Sequence, residues 1–453
     1  MTRSLGQEGF GEYTTALAFL SLFVILSDLG LHSLMTRELS QKKEGLPRIA
    51  SNFFTLRFLA SLFFLLIGVG AALFFPYSGE IKTGIAIGAI GFLFLSLHQL
   101  LLGIFQKYLA MHLTALAEVV GRGAQLFVVF LIYSYVRGPT PHISLYLFIA
   151  VTSAAAFIIF VLSFIFARRY IKFGLGFDFK YWARILKIAW PIALSITLTL
   201  IYFKIDTIFL SFMKPQADVG VYGVAYRVLE SLIFFPAIFS GIMMPILSQD
   251  AASNMARFRE VFKKSFRVIA IFAFPIVGGG VVLSYSIVNI IGGEEFQIAG
   301  APLQALFFAV GIIFFGNLLG RAIIALDLQK KAVFAYLFGV ILNVGLNLIF
   351  IPKYTYMGAA WTTVATEFLI VVFLFWLIHK KARVSLDIKN TIKAAFAAAF
   401  MSIVLFFLVF PITSPLPPLK LIVATLGGGI IYFGTLWLVA GTDKEGLKKV
   451  FTR

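Results

Sequence analysis

The sequence predicts an all-α polytopic membrane protein of about thirteen transmembrane helices in two pseudo-symmetric lobes, and three observations carry that expectation. Of 453 residues, 60% are hydrophobic and 13% charged, with 52 Phe, so polar side chains are too few to cover a water-facing surface. The apolar residues come in continuous runs rather than alternating with period two, which selects helices over a barrel. A short motif near the N-terminus also recurs in the second half of the chain.

The runs place spans at 13–34, 49–75, 81–105, 110–135, 143–167, 186–212, 219–247, 268–290, 300–320, 332–351, 357–379, 394–412 and 420–440. The first run is too long for a signal-peptide core and lacks a basic leader and a small-residue cleavage site. The longest connection, Arg168 to Lys187, separates an N-terminal lobe, 1–167, with five spans, from a C-terminal lobe, 188–380, with six. Its C-terminal part mixes aromatic and basic residues and reads equally as an interfacial helix or an ordinary basic loop. Residues 381–453 add two spans and a tail.

Phe10-Gly11-Glu12-Tyr13-Thr14-Thr15-Ala16 opens one span, and Val219-Gly220-Val221-Tyr222-Gly223-Val224-Ala225 opens another. The two stretches end alike, at Leu39-Ser40-Gln41 and Leu247-Ser248-Gln249, so the halves read as a duplication. In the second half a full span, 186–212, precedes the motif, whereas in the first only Met1 to Glu12 does. The first helix of a fourteen-helix parent is therefore expected to be absent.

The net charge of +18 is distributed unevenly. Alternate connections from residue 35 onward, with the C-terminal tail, hold 28 Lys+Arg against 9 Asp+Glu, and the opposite set holds 6 against 6. The positive-inside rule makes the first set cytoplasmic, which predicts a multi-pass protein of the cytoplasmic (inner) membrane with a cytoplasmic C-terminus. Anionic headgroups of the membrane lipids are the expected partners of those loops, and nucleic acid is not. The chain has no Cys, which excludes disulfides, thiolate metal sites and Cys nucleophiles.

Four cations lie inside the spans: Arg57, Arg122, Lys204 and Arg227. A charge at that depth costs about 2.5–3.5 kcal/mol on insertion scales, so each should face protein or water, and together they suggest an interior path for an anion. Arg57 falls in the cytoplasmic third of its span, Arg122 near the middle, and Lys204 and Arg227 toward the outer half, which allows a diphosphate to be handed from one to the next. Arg binds phosphate oxygens bidentately and stays charged. The competing reading is internal neutralisation. Glu118 and Arg122 are spaced i,i+4, Arg227 and Glu230 i,i+3, and Asp28 lies at a depth similar to Arg57. Lys204 and Asp206 are two residues apart and face nearly opposite ways. Asn343 and Asn347 share one helix face, with Thr363, Thr366 and Glu367 on the next span. Asp206, Asn343, Asn347 and Thr363 suit a monovalent cation site, or interhelical hydrogen bonding. Proton coupling through Glu367, Glu118 or Glu230 is a further expectation.

Leu5-Gly6-Gln7-Glu8-Gly9-Phe10-Gly11-Glu12-Tyr13, Ser27-Asp28-Leu29-Gly30-Leu31 and Arg37-Glu38 resemble the start of Wzx-type oligosaccharide flippases. The stretch Tyr202 to Thr207, Val221 to Arg227, Gly292 to Phe296, Ile351-Pro352-Lys353-Tyr354 and Gly358-Ala359-Ala360 resemble later parts of that family, so the likeness runs over nearly the whole chain. The larger grouping is the multidrug, oligosaccharidyl-lipid and polysaccharide exporter superfamily, with 12 or 14 helices in two lobes and alternating access. The resemblance implies a transporter, not an enzyme, that moves a polyprenyl-diphosphate-linked oligosaccharide from the cytoplasmic to the outer leaflet for surface polysaccharide assembly. It implies Na+ or H+ as coupling ion, no cofactor, and a glycan polymerase and glycosyltransferases as further partners. A lipid II flippase, a multidrug cation antiporter and a scaffold for glycan assembly are the alternatives.

The remaining features are weaker. His32, His98, His112, His142 and His379 lack ligand spacing, and most lie near span ends and read as interfacial; Gly278-Gly279-Gly280 reads as a packing or bending site, and Pro191, Pro236, Pro245 and Pro275 as kinks. The sequence shows no catalytic triad and no ATP-binding motif.

Overall fold

The computed structural model describes residues 1–41, 44–135, 141–409 and 415–440. They form fourteen α-helices and one 3-10 turn, with no strand among the described residues. Packing divides the chain into two compact units, Met1–Gly220 and Val221–Arg453.

The first unit contains α1 (Thr2–Asp28), α2 (Leu31–Gln41), α3 (Leu46–Phe74), α4 (Gly79–Lys107), α5 (Met111–Tyr135), α6 (Pro141–Tyr170) and α7 (Phe179–Met213). Helix α4 packs against α6, α1, α3 and α2 and forms the centre of the unit. Its start is fixed by Ser78, whose hydroxyl accepts the Ile81 N–H at 3.3 Å. Helix α7, placed in the second half by the sequence, packs here against α1. Its C-terminal end is held by Phe212 stacked on Phe75 and by the Ser211 hydroxyl, 3.0 Å from that of Tyr77.

Several boundaries differ from the sequence expectation. The first span does not run through residue 34. Helix α1 ends at Asp28, and Leu29 (φ 47) and Gly30 (φ 69) turn the chain into a separate α2. The Arg168–Lys187 connection holds no separate interfacial helix: α6 ends at Tyr170, eight residues cross in extended form, and α7 then runs 35 residues without a break. Those eight residues are pinned to the start of α3. The Gly176 N–H donates to Thr55 Oγ1 (2.9 Å), and both the Asp178 N–H and Trp182 Nε1–H donate to Asn52 Oδ1 (3.0 Å each).

Helix α8 (Gln216–Leu232) begins in the first unit and ends in the second, which continues through α9 (Phe234–Ser253), α10 (Met255–Gly292), the 3-10 turn Glu294–Ala299, α11 (Gly300–Ala325), α12 (Gln329–Ala382), α13 (Ile388–Val409) and α14 (Pro418–Ala440). The run 219–247 is thus two helices, broken at Ile233, rather than one. Helix α12 is two arms that meet at Thr355 (φ 50, ψ −131), three residues after Pro352. Eleven helices of the described residues are long and apolar enough to cross a membrane. Counting both arms of α12 and adding the 35-residue α7 yields the thirteen crossings of the sequence reading.

The C-terminal pair α13 and α14 packs on α10. Pro275 has no N–H to give to the Ile271 carbonyl one turn earlier, and the Tyr432 hydroxyl donates to that carbonyl instead, at 2.8 Å. The glycine run of α10 serves close packing: a Cβ on Gly278 would lie 2.2 Å from Ser402 Oγ, and one on Gly280 2.1 Å from Phe307.

The duplicated motif is also a structural contact. A Cβ on Gly11 would lie 1.7 Å from the Gln216 carbonyl oxygen, and one on Gly220 would lie 2.1 Å from that of Gln7. Gln7 stands four residues before Gly11, as Gln216 does before Gly220. Each copy's glycine therefore receives the other copy's glutamine carbonyl, and α1 and the first turns of α8 cross through a local two-fold relation at backbone contact.

Candidate functional site

Helix α1 stops inside the first unit, and its last residue is Asp28. A carboxylate at a helix C-terminus meets the negative end of the dipole and needs a cation. Arg57 on α3 supplies one: Nη1 donates to Asp28 Oδ1 at 2.5 Å, with Arg57 0% exposed. The Arg57 Nε and Nη2 groups are buried and have no acceptor among the described residues. Around the pair, Ser61 reaches the hydroxyls of Ser27 (3.2 Å) and Ser96 (2.6 Å), and His32 on α2 lies within electrostatic reach of both charges. Asp28 and Arg57 are thus brought together, in a setting of buried hydroxyls.

Arg122 and Glu118 share one face of α5 but do not pair. Arg122 is exposed, and its Nη1 donates to Gln125 Oε1 at 3.0 Å. Gln125 in turn donates to Thr152 Oγ1 (3.1 Å), which lies 3.2 Å from the Tyr13 hydroxyl of α1. Glu118 meets His98 of α4 instead, at 3.4 Å from Nε2, and His98 Nδ1 lies 2.9 Å from Ser163 Oγ of α6. His98 is a buried histidine rather than the interfacial one the sequence suggests. Arg122 stands in the middle of a span-length helix, so its exposed charge requires water rather than lipid on that face.

Lys204 is half-buried and Asp206 buried on α7, and both engage partners within the structure. Arg227 and Glu230 are exposed on α8, also with partners.

The second unit holds a different cluster, where the two arms of α12 meet α8. Asn347 Nδ2 donates to Asn343 Oδ1 (2.9 Å), Asn343 Nδ2 to Thr366 Oγ1 (3.5 Å), and the Tyr222 hydroxyl lies 3.3 Å from Thr363 Oγ1. All are buried, as is Glu367 beside them on the second arm. Asp206, grouped with these residues by the sequence, sits on α7 of the first unit.

At the cytoplasmic end expected from the charge bias, Arg48 Nη2 donates to Asp178 Oδ2 at 2.5 Å. That bond, with the Tyr181 N–H on the other oxygen, holds the Asp178 carboxyl below the usual carboxylate range.

Sequence reasoning finds Asp28, Arg57, Glu118 and Arg122 but not the Arg48–Asp178 bond, the His98–Glu118–Ser163 contact or the Ser27–Ser61–Ser96 hydroxyls. Those pairings join different helices and leave no local spacing to read.

The described residues thus form an all-α polytopic fold with a short buried ion pair in one unit and an amide–hydroxyl cluster in the other. Over 97% of both chains it superposes on the lipid II flippase MurJ in an inward closed conformation, with a TM-score of 0.74 and 17% identity. An inward-facing multidrug resistance MATE family transporter of the MOP superfamily matches with a TM-score of 0.67 and 13% identity, over 84% of this chain and 94% of that one. At these identities the likeness is one of fold. Residues 1–251 match the family model for polysaccharide biosynthesis proteins, and the chain belongs to that family. Residues 191–349 also match the MatE family model. Among curated relatives from Haloferax volcanii, the probable low-salt glycan biosynthesis flippase Agl15 is 28% identical over 163 residues, 36% of this chain and 34% of that protein. The probable flippase AglR is 21% identical over 262 residues, 55% of this chain and 53% of that protein. The chain thus matches about half or less of the length of these curated relatives.

Proposed function

We propose that this protein is a flippase for a polyprenyl-diphosphate-linked oligosaccharide, moving it from the cytoplasmic to the outer leaflet of the cytoplasmic membrane for surface glycan assembly. The observation that carries the reading is Arg57. It is buried at membrane depth, and two of its guanidinium nitrogens have no acceptor among the described residues. Buried donors without acceptors are costly, and phosphate oxygens satisfy a guanidinium bidentately. Asp28 neutralises Arg57 when no phosphate is there. Arg122, exposed on the water-facing side of α5, is the second anion contact of this proposal, and Lys204 and Arg227 are its further cations. The relatives' names as flippases support the activity. The one-sided excess of Lys and Arg supports a cytoplasmic C-terminus. Enzymes that build the glycan and a polymerase that consumes it are the partners such a step needs.

The test is complementation of a flippase-deficient host, scored by surface glycan, with membrane expression measured in parallel. Arg57→Ala, Arg122→Ala and Arg227→Ala should each reach the membrane and lose surface glycan. Wild-type glycan in all three would refute diphosphate binding by these residues, and efflux of cationic dyes by the wild type would point to multidrug antiport instead.

A second reading, of cation coupling, is favoured by the oxygen donors of the second unit. Asn343, Asn347, Thr363, Thr366 and Glu367 supply amide, hydroxyl and carboxylate oxygens, the chemistry that suits Na+. These residues would hold the ion. Replacing Na+ by choline should then slow transport in the wild type and have no further effect in Asn343→Ala.

A further inference from the structure

We propose that His98, Glu118 and Ser163 form a proton-binding site in the first unit, and that the proton decides whether Glu118 is held by His98 or turns to Arg122. His98 lies inside the unit, whereas the Glu118 side chain is 54% exposed, so the pair joins a buried imidazole to a water-accessible carboxylate. Both ring nitrogens are engaged, Nε2 by Glu118 Oε1 at 3.4 Å and Nδ1 by Ser163 Oγ at 2.9 Å.

On the Ser163 side, the ring accepts either protonation state without rearrangement of heavy atoms. In the neutral ring, Nε2–H donates to the carboxylate and Nδ1 accepts from the Ser163 hydroxyl. When a proton from water arrives at Nδ1, the new N–H donates to Ser163 Oγ, whose own hydrogen rotates away. The donor is a hydronium ion, whose O–H bond breaks to leave water as the Nδ1–H bond forms, and the charge of the ring rises by one. A hydroxyl partner makes this reversal possible, because it can donate or accept.

The protonated ring and Glu118 attract as full charges, and the neutral ring holds the carboxylate only by a hydrogen bond. Arg122, four residues along the same face of α5, is then the competing cation for Glu118. The charged groups acting on His98 are Glu118 and Arg122, both from α5. Helix α6 presents the uncharged Ser163; on the other elements packed against α4, Asp28, His32 and Arg57 form their own cluster, and Glu12 of α1 meets Ser78 at the start of α4. Proton uptake thus fixes Glu118 on His98 and leaves Arg122 available to an anion, and proton loss returns Glu118 toward Arg122. The link from this trade to cargo rests on the reading of Arg122 above; the proton site itself does not.

The test reads protons alone. Full-length protein labelled with 13C-histidine is titrated by NMR in nanodiscs, with the His98 resonance assigned by its loss in His98→Gln. Wild-type His98 should titrate reversibly. Glu118→Gln should lower its proton affinity at least about tenfold, one pH unit, and Arg122→Gln should raise it. A His98 resonance that does not titrate between pH 5 and 9, or that titrates identically in both variants, would overturn the proposal. Either result leaves the glycan assay untouched, and normal titration with no transport would count against the proposed function instead.

Discussion

The polar cluster around Arg57 and the one around Asn343 are built differently. In the first, opposite charges meet directly, Arg57 with Asp28, and at the edge of the same unit the His98 ring meets the Glu118 carboxylate. In the second, apart from Glu367, the cluster is neutral, built from two Asn, two Thr and one Tyr that hydrogen-bond across the arms of α12 and to α8, while the buried Asp250 of that unit meets Arg257 elsewhere. A buried ion pair with spare donors is suited to an anion that can compete for the cation. A cluster of amide and hydroxyl oxygens is suited to a cation or to holding helices together. In the proposed function the two clusters, in halves that share a duplicated motif, take separate tasks.

The largest expected effect separates the charged cluster from the neutral one. Asp28→Asn leaves the Arg57 charge buried without its anion and should destabilise the protein by about 3–5 kcal/mol, seen as a lowered thermal unfolding midpoint in detergent. The double variant Asp28→Leu with Arg57→Met should recover much of that loss while remaining inactive. Such recovery would show that the pair is retained for function rather than stability.

Gly220→Ala comes next. Its Cβ would stand 2.1 Å from the Gln7 carbonyl oxygen, and the rigid backbone there cannot yield, so a cost of about 1–3 kcal/mol or more is expected by the same measurement. Gly345→Ala, where the second unit has open space, serves as the matched control and should be close to neutral. In the neutral cluster, Asn343→Ala should cost about 1–3 kcal/mol, less than Asp28→Asn, because only hydrogen bonds are lost. Equal losses from the two would erase the contrast between the units.

Tyr432→Phe removes the donor that caps the Ile271 carbonyl freed by Pro275, and should cost about 1 kcal/mol. The smallest effect concerns the surface contact of Arg48 with Asp178. Because the Asp178 pKa is depressed, its contribution is present above the ordinary carboxylate value, about 3.9, and is lost as pH falls through the lower folded value. Arg48→Gln should move the Asp178 carboxyl resonance toward ordinary titration, with little change in stability at neutral pH.

Much of this was legible in the sequence for physical reasons that can be named. Thirteen crossings follow from hydropathy, because lipid forces long apolar runs, and the position of each intramembrane charge is a matter of counting. The crossing of Gly11 and Gly220 was half visible: the shared Gly-x-Tyr marked the duplication, but the pairing of each glycine with the other copy's glutamine needed the fold. The break at Leu29–Gly30 was missed because a single Gly within a run of helical length does not by itself mark a turn. The continuous start of α7 was missed because an amphipathic stretch looks the same whether it lies on a membrane or extends a span. Glu118 was assigned to Arg122 by helical spacing, and His98, twenty residues away on another helix, won because packing of α4 against α5 and α6 leaves the imidazole facing the carboxylate. Local spacing cannot report such a competition.

Whether Arg57 receives the diphosphate of a lipid-linked glycan can be read from translocation of a fluorescent polyprenyl-diphosphate glycan in proteoliposomes, comparing the wild type with Arg57→Ala at equal reconstitution. The wild type should move the glycan, and the variant should move it at least about a hundredfold more slowly, the loss of roughly 2.7 kcal/mol of interaction. Equal rates for the two proteins would rule out diphosphate binding by Arg57.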